Sequence, residues 1–126
     1  MSEILLVDDN AIQAATRKAV LTRAGRRVLI AESAAAALKM LANEEVAAQI
    51  ALMITDHLMP GMNGPEFVRK FREKLPETPV VVLSGLPDAE TEYEPGDVVF
   101  RMKPIAPDAL IHLVNELLDS SVARTA

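Results

Sequence analysis

The residues in this chain best suited to chemistry are three carboxylates, a hydroxyl and an ammonium: Asp8-Asp9, Asp56, Ser84 and Lys103. Three carboxylates at one point repel one another, and some pKa values rise unless a cation joins them. A hard divalent ion with oxygen ligands suits such a cluster, and Mg2+ takes only a few carboxylates while keeping several waters. A lysine opposite them supplies a compact positive charge for phosphate oxygens, and a serine hydroxyl adds one hydrogen bond. Together these groups describe phosphoryl transfer, in which catalysis is mostly positioning and neutralisation of charge. Asp56 is placed to act as the nucleophile itself, giving an acyl phosphate.

These residues meet only if the fold gathers them. Each stands at the end of a short apolar run: Ile4-Leu5-Leu6-Val7 before Asp8, Ile50-Ala51-Leu52-Met53-Ile54 before Asp56, Val80-Val81-Val82-Leu83 before Ser84, and Asp97-Val98-Val99-Phe100 before Lys103. A fifth run, Arg27 to Ala31, ends in nothing comparable. Runs without polar alternation suit a parallel sheet covered on both faces. Between them the spacing predicts helices. Ile12, Ala15, Ala19 and Val20 share a face before Gly25, and Ser33 caps a helix with Ala34, Ala37, Leu38 and Leu41 inward. Pro65 opens a helix carrying Phe67, Val68, Phe71 and Leu75, and Pro107-Asp108 opens a last one with Leu110, Leu113, Val114 and Leu117 inward. Ile111 and Leu118 fall off that last stripe, as partner contacts or ordinary exposed residues. The alternation predicts a doubly wound α/β sheet, in which ligands bind at the carboxyl ends of the strands. Gly85 to Gly96 is the weak connection: two prolines bracket a mostly acidic segment with little apolar spacing, so one or two irregular turns are expected there.

Composition narrows the function further. The 126 residues suffice for one domain, expected over 1–118 with a polar tail at 119–126. There is no cysteine, which excludes disulfides, thiolate metal sites and cysteine nucleophiles. The net charge of −5 and the 3% aromatic content argue against a nucleic-acid surface. The apolar runs are too short for a membrane span and the start has no signal-peptide pattern, so a cytoplasmic domain is expected. Met1 directly before the first strand favours an independent start.

Four segments carry a resemblance: Leu5-Leu6-Val7-Asp8-Asp9-Asn10, Asp56 through Gly64, Val82-Leu83-Ser84-Gly85 and Lys103-Pro104. In this order, each at a strand end, they resemble the receiver domains of two-component response regulators over nearly the whole chain. The resemblance implies a flavodoxin-like five-stranded parallel sheet of order 2-1-3-4-5, with the fourth helical connection here short or irregular. It implies that Asp56 takes a phosphoryl group from a sensor histidine kinase or histidine phosphotransfer protein. Asp9, Asp56 and the Leu58 carbonyl would ligate Mg2+, with Asp8 acting largely through a metal-bound water. Ser84 and Lys103 would bind phosphoryl oxygens, and Ser84 with Phe100 would form the switch. The peptide before Pro104 would be cis. The domain would be a signalling phosphoacceptor rather than an enzyme, controlling a downstream protein; a homodimer is one expected state. The interval from Ser84 to Phe100 is shorter than is usual in the family, and the acidic stretch within it is a candidate contact for a basic partner.

The plainer readings concern single residues. Asp8-Asp9 also suits a helix cap, Met59 to Gly64 is loop geometry, and Ser84-Gly85 fits a strand-ending turn. Strand alternation turns His57 away from Asp56, and a functional role for it is not expected. A haloacid-dehalogenase-type phosphatase would place a second acid two residues after Asp56, where Leu58 stands, and no P-loop motif is present. A flavodoxin-like FMN binder would want a hydroxyl- and glycine-rich loop where Asp8-Asp9 stands. The alternative is a receiver-like, non-phosphorylated protein-binding module.

Overall fold

A computed structural model describes residues 2–125, with side chains through Asp119. Five strands, β1 (Glu3–Val7), β2 (Arg27–Ala31), β3 (Ile50–Asp56), β4 (Val80–Ser84) and β5 (Val99–Met102), form one sheet of order β2-β1-β3-β4-β5. Every neighbouring pair is parallel. The helices are α1 (Ala11–Arg23), α2 (Ala34–Leu41), α3 (Glu44–Gln49), α4 (Gly64–Lys74) and α5 (Pro107–Thr125), with a 3-10 turn at Pro87–Glu92 before β5. This is the flavodoxin-like architecture expected, and the weak fourth connection is indeed irregular.

Alternate strand residues supply two cores. Leu5, Val7, Met53, Val80 and Val82 pack against α2, α3 and α4. Ile4, Leu6, Leu52, Ile54, Val81 and Leu83 pack on the other face against α1 and α5. The central strands have no wet face, which is why they read as unbroken apolar runs.

Helix ends follow local chemistry. Ser33 caps α2 by accepting from the Ala36 N–H at 3.0 Å, and Asn63 caps α4 by accepting from Glu66 at 2.8 Å. Asn10, rather than Asp8 or Asp9, caps α1 through the Gln13 N–H at 3.0 Å. That leaves the acidic pair free for other work.

Four expectations need correction. The inward stripe of α1 is Ala14 and Leu21, not Ile12, Ala15 and Ala19; Ile12 is 80% exposed. The true stripe was hidden because Arg17 lies on it between the two apolar residues. Strand β5 begins at Val99, two residues later than the apolar run, because Asp97 is held in the preceding turn by Arg72. As an edge strand paired only with β4, β5 tolerates exposed Arg101 and Met102. Helix α3 was not anticipated; its six residues carry little apolar spacing, and Asn43 caps it by accepting from Glu45 and Val46. Leu118 is buried in the α1/α5 core, and Ile111 is partly buried against it. The polar tail expected at 119–126 falls on residues whose side chains, from 120 onward, lie outside those described. No helix among the described residues is long and apolar enough to cross a membrane.

Candidate functional site

The strand tips place the expected residues together. Val7 pairs with Thr55, so Asp8 and Asp56 follow on adjacent strands at one height. Beyond the strands, single backbone bonds extend the ladder: Asp8 N–H to Ala31 C=O (3.1 Å), His57 N–H to Leu83 C=O (2.9 Å) and Lys103 N–H to Ser84 C=O (2.8 Å). The Lys103–Pro104 peptide is cis.

Carboxylate oxygens of Asp8, Asp9 and Asp56 all lie within 4.8 Å of one another. Asp8 and Asp56 are each 2% exposed, whereas Asp9 is open to solvent. The Lys103 ammonium meets Asp56 Oδ1 at 2.8 Å. Burial raises the Asp8 pKa from its ordinary 3.8 to about 6. The hydrogen bond shared with Asp56 and that residue's charge push the same way, while the Asn10 N–H and the Arg17 guanidinium oppose them.

Arg17 is the residue that sequence reasoning missed. From α1 its Nη1 reaches Asp8 Oδ2 at 2.9 Å and Asp56 Oδ1 at 3.5 Å, with its side chain 14% exposed. A basic residue on a helix normally reads as part of a solvated face. Only its position three residues after Ala14 and four before Leu21 marked it as inward.

Ser84 is buried at the tip of β4, its hydroxyl accepting from the Leu86 N–H at 2.9 Å. Phe100 lies opposite Val82 in the β4/β5 pairing and is partly buried against the α2/α4 core. Leu58 follows in the loop after β3 with its side chain exposed. Ile12, Leu58, Leu86 and Met102, the exposed large hydrophobics among the described residues, all lie at the carboxyl edge of the sheet.

His57 points away from Asp56, as alternation requires, but into a built contact. Its Nδ1 is 2.7 Å from the Tyr93 hydroxyl and its Nε2 is 3.3 Å from Glu92. Burial and the Glu92 charge push the Tyr93 phenol well above its ordinary value. Gly64 is needed here for closeness rather than for backbone freedom: a Cβ at that position would collide with the Tyr93 hydroxyl.

Two buried carboxylates and an exposed third, all oxygen donors, fit a hard divalent cation. Receiver domains bind Mg2+ at an acidic pocket of this kind. The sequence matches the response regulator receiver domain over residues 4–115. It is 31% identical over 121 residues to the two-component response regulator ORR5 of Oryza sativa subsp. japonica, covering 91% of this chain and 87% of that protein. It is 32% identical over 127 residues to the transcriptional regulatory protein GlrR of Escherichia coli (strain K12), covering 98% of this chain and 28% of GlrR. A solved response regulator receiver protein from Sinorhizobium medicae WSM419 shares the fold with a TM-score of 0.81 at 32% identity, covering 94% of each chain. The agreement runs from the first strand into the last helix, and the chain therefore belongs to the response regulator receiver family, a signalling domain of two-component systems.

Proposed function

We propose that Asp56 is the phosphoacceptor of a two-component or phosphorelay system. The observation that carries this reading is the Asp56 carboxylate itself: buried at the carboxyl edge of the sheet, facing Lys103 at 2.8 Å, and sharing its pocket with Asp8 and Asp9. An oxygen of Asp56 attacks phosphorus on a phosphohistidine of a sensor histidine kinase or histidine phosphotransfer protein. A P–O bond forms as the P–N bond breaks, and the electron pair leaves with the imidazole nitrogen. Asp9, Asp56 and the Leu58 carbonyl would hold Mg2+, with Asp8 assisting, and the ion would supply charge neutralisation at the phosphoryl oxygens. Lys103 neutralises a further oxygen. The exposed apolar side chains around the edge, Ile12, Leu58, Leu86 and Met102, suit a docking phosphodonor.

Phosphorylation adds about −1.5 to −2 charges and three acceptors next to Asp56. Ser84 gives up its Leu86 contact to donate to a phosphoryl oxygen, and Phe100 moves into the space released. Coupling of roughly 1–3 kcal/mol is enough to bias the population recognised by a downstream protein. In this reading the domain acts in the cytoplasm, and a homodimer is one form in which it would work.

Incubation with acetyl phosphate and Mg2+, followed by intact mass, tests the reading. Addition of one phosphoryl group, lost in Asp56→Asn, is expected. No addition to the wild type favours a receiver-like binding module instead.

A further inference from the structure

Both oxygens of Asp8 already have a partner in this structure. Its Oδ1 accepts from the Asn10 N–H at 2.8 Å, and its Oδ2 is held by Arg17 Nη1 at 2.9 Å. The same guanidinium nitrogen reaches Asp56 Oδ1, the oxygen that Lys103 also contacts. Two protein cations therefore already offset the three carboxylates, and one of them stands between the two buried acids. The contact is not a loose surface pair: Arg17 sits on the inward stripe of α1, and both of its partners are buried. In surroundings so little screened by water, a further cation brought to the same oxygens is strongly repelled.

The guanidinium also has somewhere to go. A cavity of about 480 Å³ opens beside it between α1 and the Lys103–Leu110 segment, lined in part by Thr16, Val20, Pro104 and Ile105. Its mainly apolar walls suit the methylene stem of an arginine that turns its head outward.

We infer that Arg17 is a resident cation that competes with a divalent metal for Asp8 and Asp56, and so sets the Mg2+ concentration at which the domain becomes competent for phosphorylation. The inference rests on the reading of this pocket as a Mg2+ site. Arg17 is a positioning residue: it acts through the two carboxylates it holds. Metal binding pulls Asp8 and Asp56 from it, and the side chain withdraws into the adjoining cavity.

Isothermal titration of Mg2+ into wild type and Arg17→Gln, at low ionic strength and neutral pH, tests this. Arg17→Gln should bind about tenfold more tightly, equivalent to ~1.4 kcal/mol. Equal or weaker binding by the variant overturns the inference while leaving the Mg2+ reading intact. Failure of both proteins to bind overturns both. A second measurement needs no folded Gln variant: the Arg17 Nε–H NMR resonance of the wild type, identified by its loss in Arg17→Lys, should shift as Mg2+ is added. A resonance unmoved at saturating Mg2+ shows that Arg17 keeps its partners, and overturns the inference.

Discussion

The imidazole of His57 and the hydroxyl of Tyr93 meet at 2.7 Å across the α4 side of the sheet, one residue from Asp56. The rings stand edge-on, their centroids 5.5 Å apart. This bond ties the tip of β3 to the irregular segment that replaces a fourth crossover helix, a segment with only Ala89 and Tyr93 buried.

Tyr93→Phe should cost roughly 1–3 kcal/mol of unfolding free energy, because it leaves His57 Nδ1 buried without its partner. Gly64→Ala should cost at least as much, since its methyl group meets the Tyr93 hydroxyl. The two effects should not add: removing the hydroxyl relieves the worst of the clash, so the double variant should be more stable than the sum of the single costs. Urea unfolding of the four proteins in the cycle measures this coupling.

Lys103→Ala removes the ammonium that faces Asp56. The initial rate of phosphorylation by acetyl phosphate should fall at least tenfold, in line with the loss of one preorganised charge at a reacting centre. Quantifying phosphoprotein by mass over time would show it, and an unchanged rate would remove Lys103 from the mechanism.

The acid pocket gives stability an unusual pH dependence. Asp8 titrates near 6 in the folded protein and near 3.8 when unfolded, so the folded state binds the proton more tightly. Its contribution is complete below pH 3.8 and is lost as pH rises through about 6. In the absence of divalent metal, Asp8→Asn should therefore be more stable than wild type at pH 7 by roughly 1–3 kcal/mol. The gap should narrow toward pH 4. Thermal melts in EDTA across that range check both sign and window.

Arg72 fastens α4 to the start of β5. Its Nε and Nη2 bond the Asp97 carboxylate and carbonyl at 2.8 Å each, and Nη1 donates to the carbonyls of Leu75 and Thr78. Arg72→Lys keeps the charge but loses the planar fork, and should still destabilise by about 1–3 kcal/mol in urea unfolding.

Most of the fold was legible because buried parallel strands show as unbroken apolar runs, and because Ser33, Pro65 and Pro107 mark helix starts. The site residues were legible for a related reason: a polar side chain closing such a run has little choice but to stand at the sheet edge. Reading failed where a residue's environment comes from far along the chain. Arg17 drew no notice, because its partners Asp8 and Asp56 lie 9 and 39 residues away, and without it the inward face of α1 was misplaced. Alternation turned His57 correctly away from Asp56 but said nothing of Tyr93, 36 residues on. The one tyrosine of the chain, set in an acidic stretch, was the signal available. The start of β5 was displaced because Asp97 is bound by Arg72, 25 residues earlier in the chain.

The three backbone bonds that carry the ladder one step past the strands have a consequence for motion. The amides of Asp8, His57 and Lys103 belong to the sheet, so their deuterium uptake should await cooperative opening of the whole domain. The amides of Ala89 and Tyr93, bonded only within their own turn, are free to exchange through local fluctuations. The floor beneath Asp56 is thus as slow as global unfolding, and the quick, pliable wall is the one His57 holds through Tyr93 and Glu92.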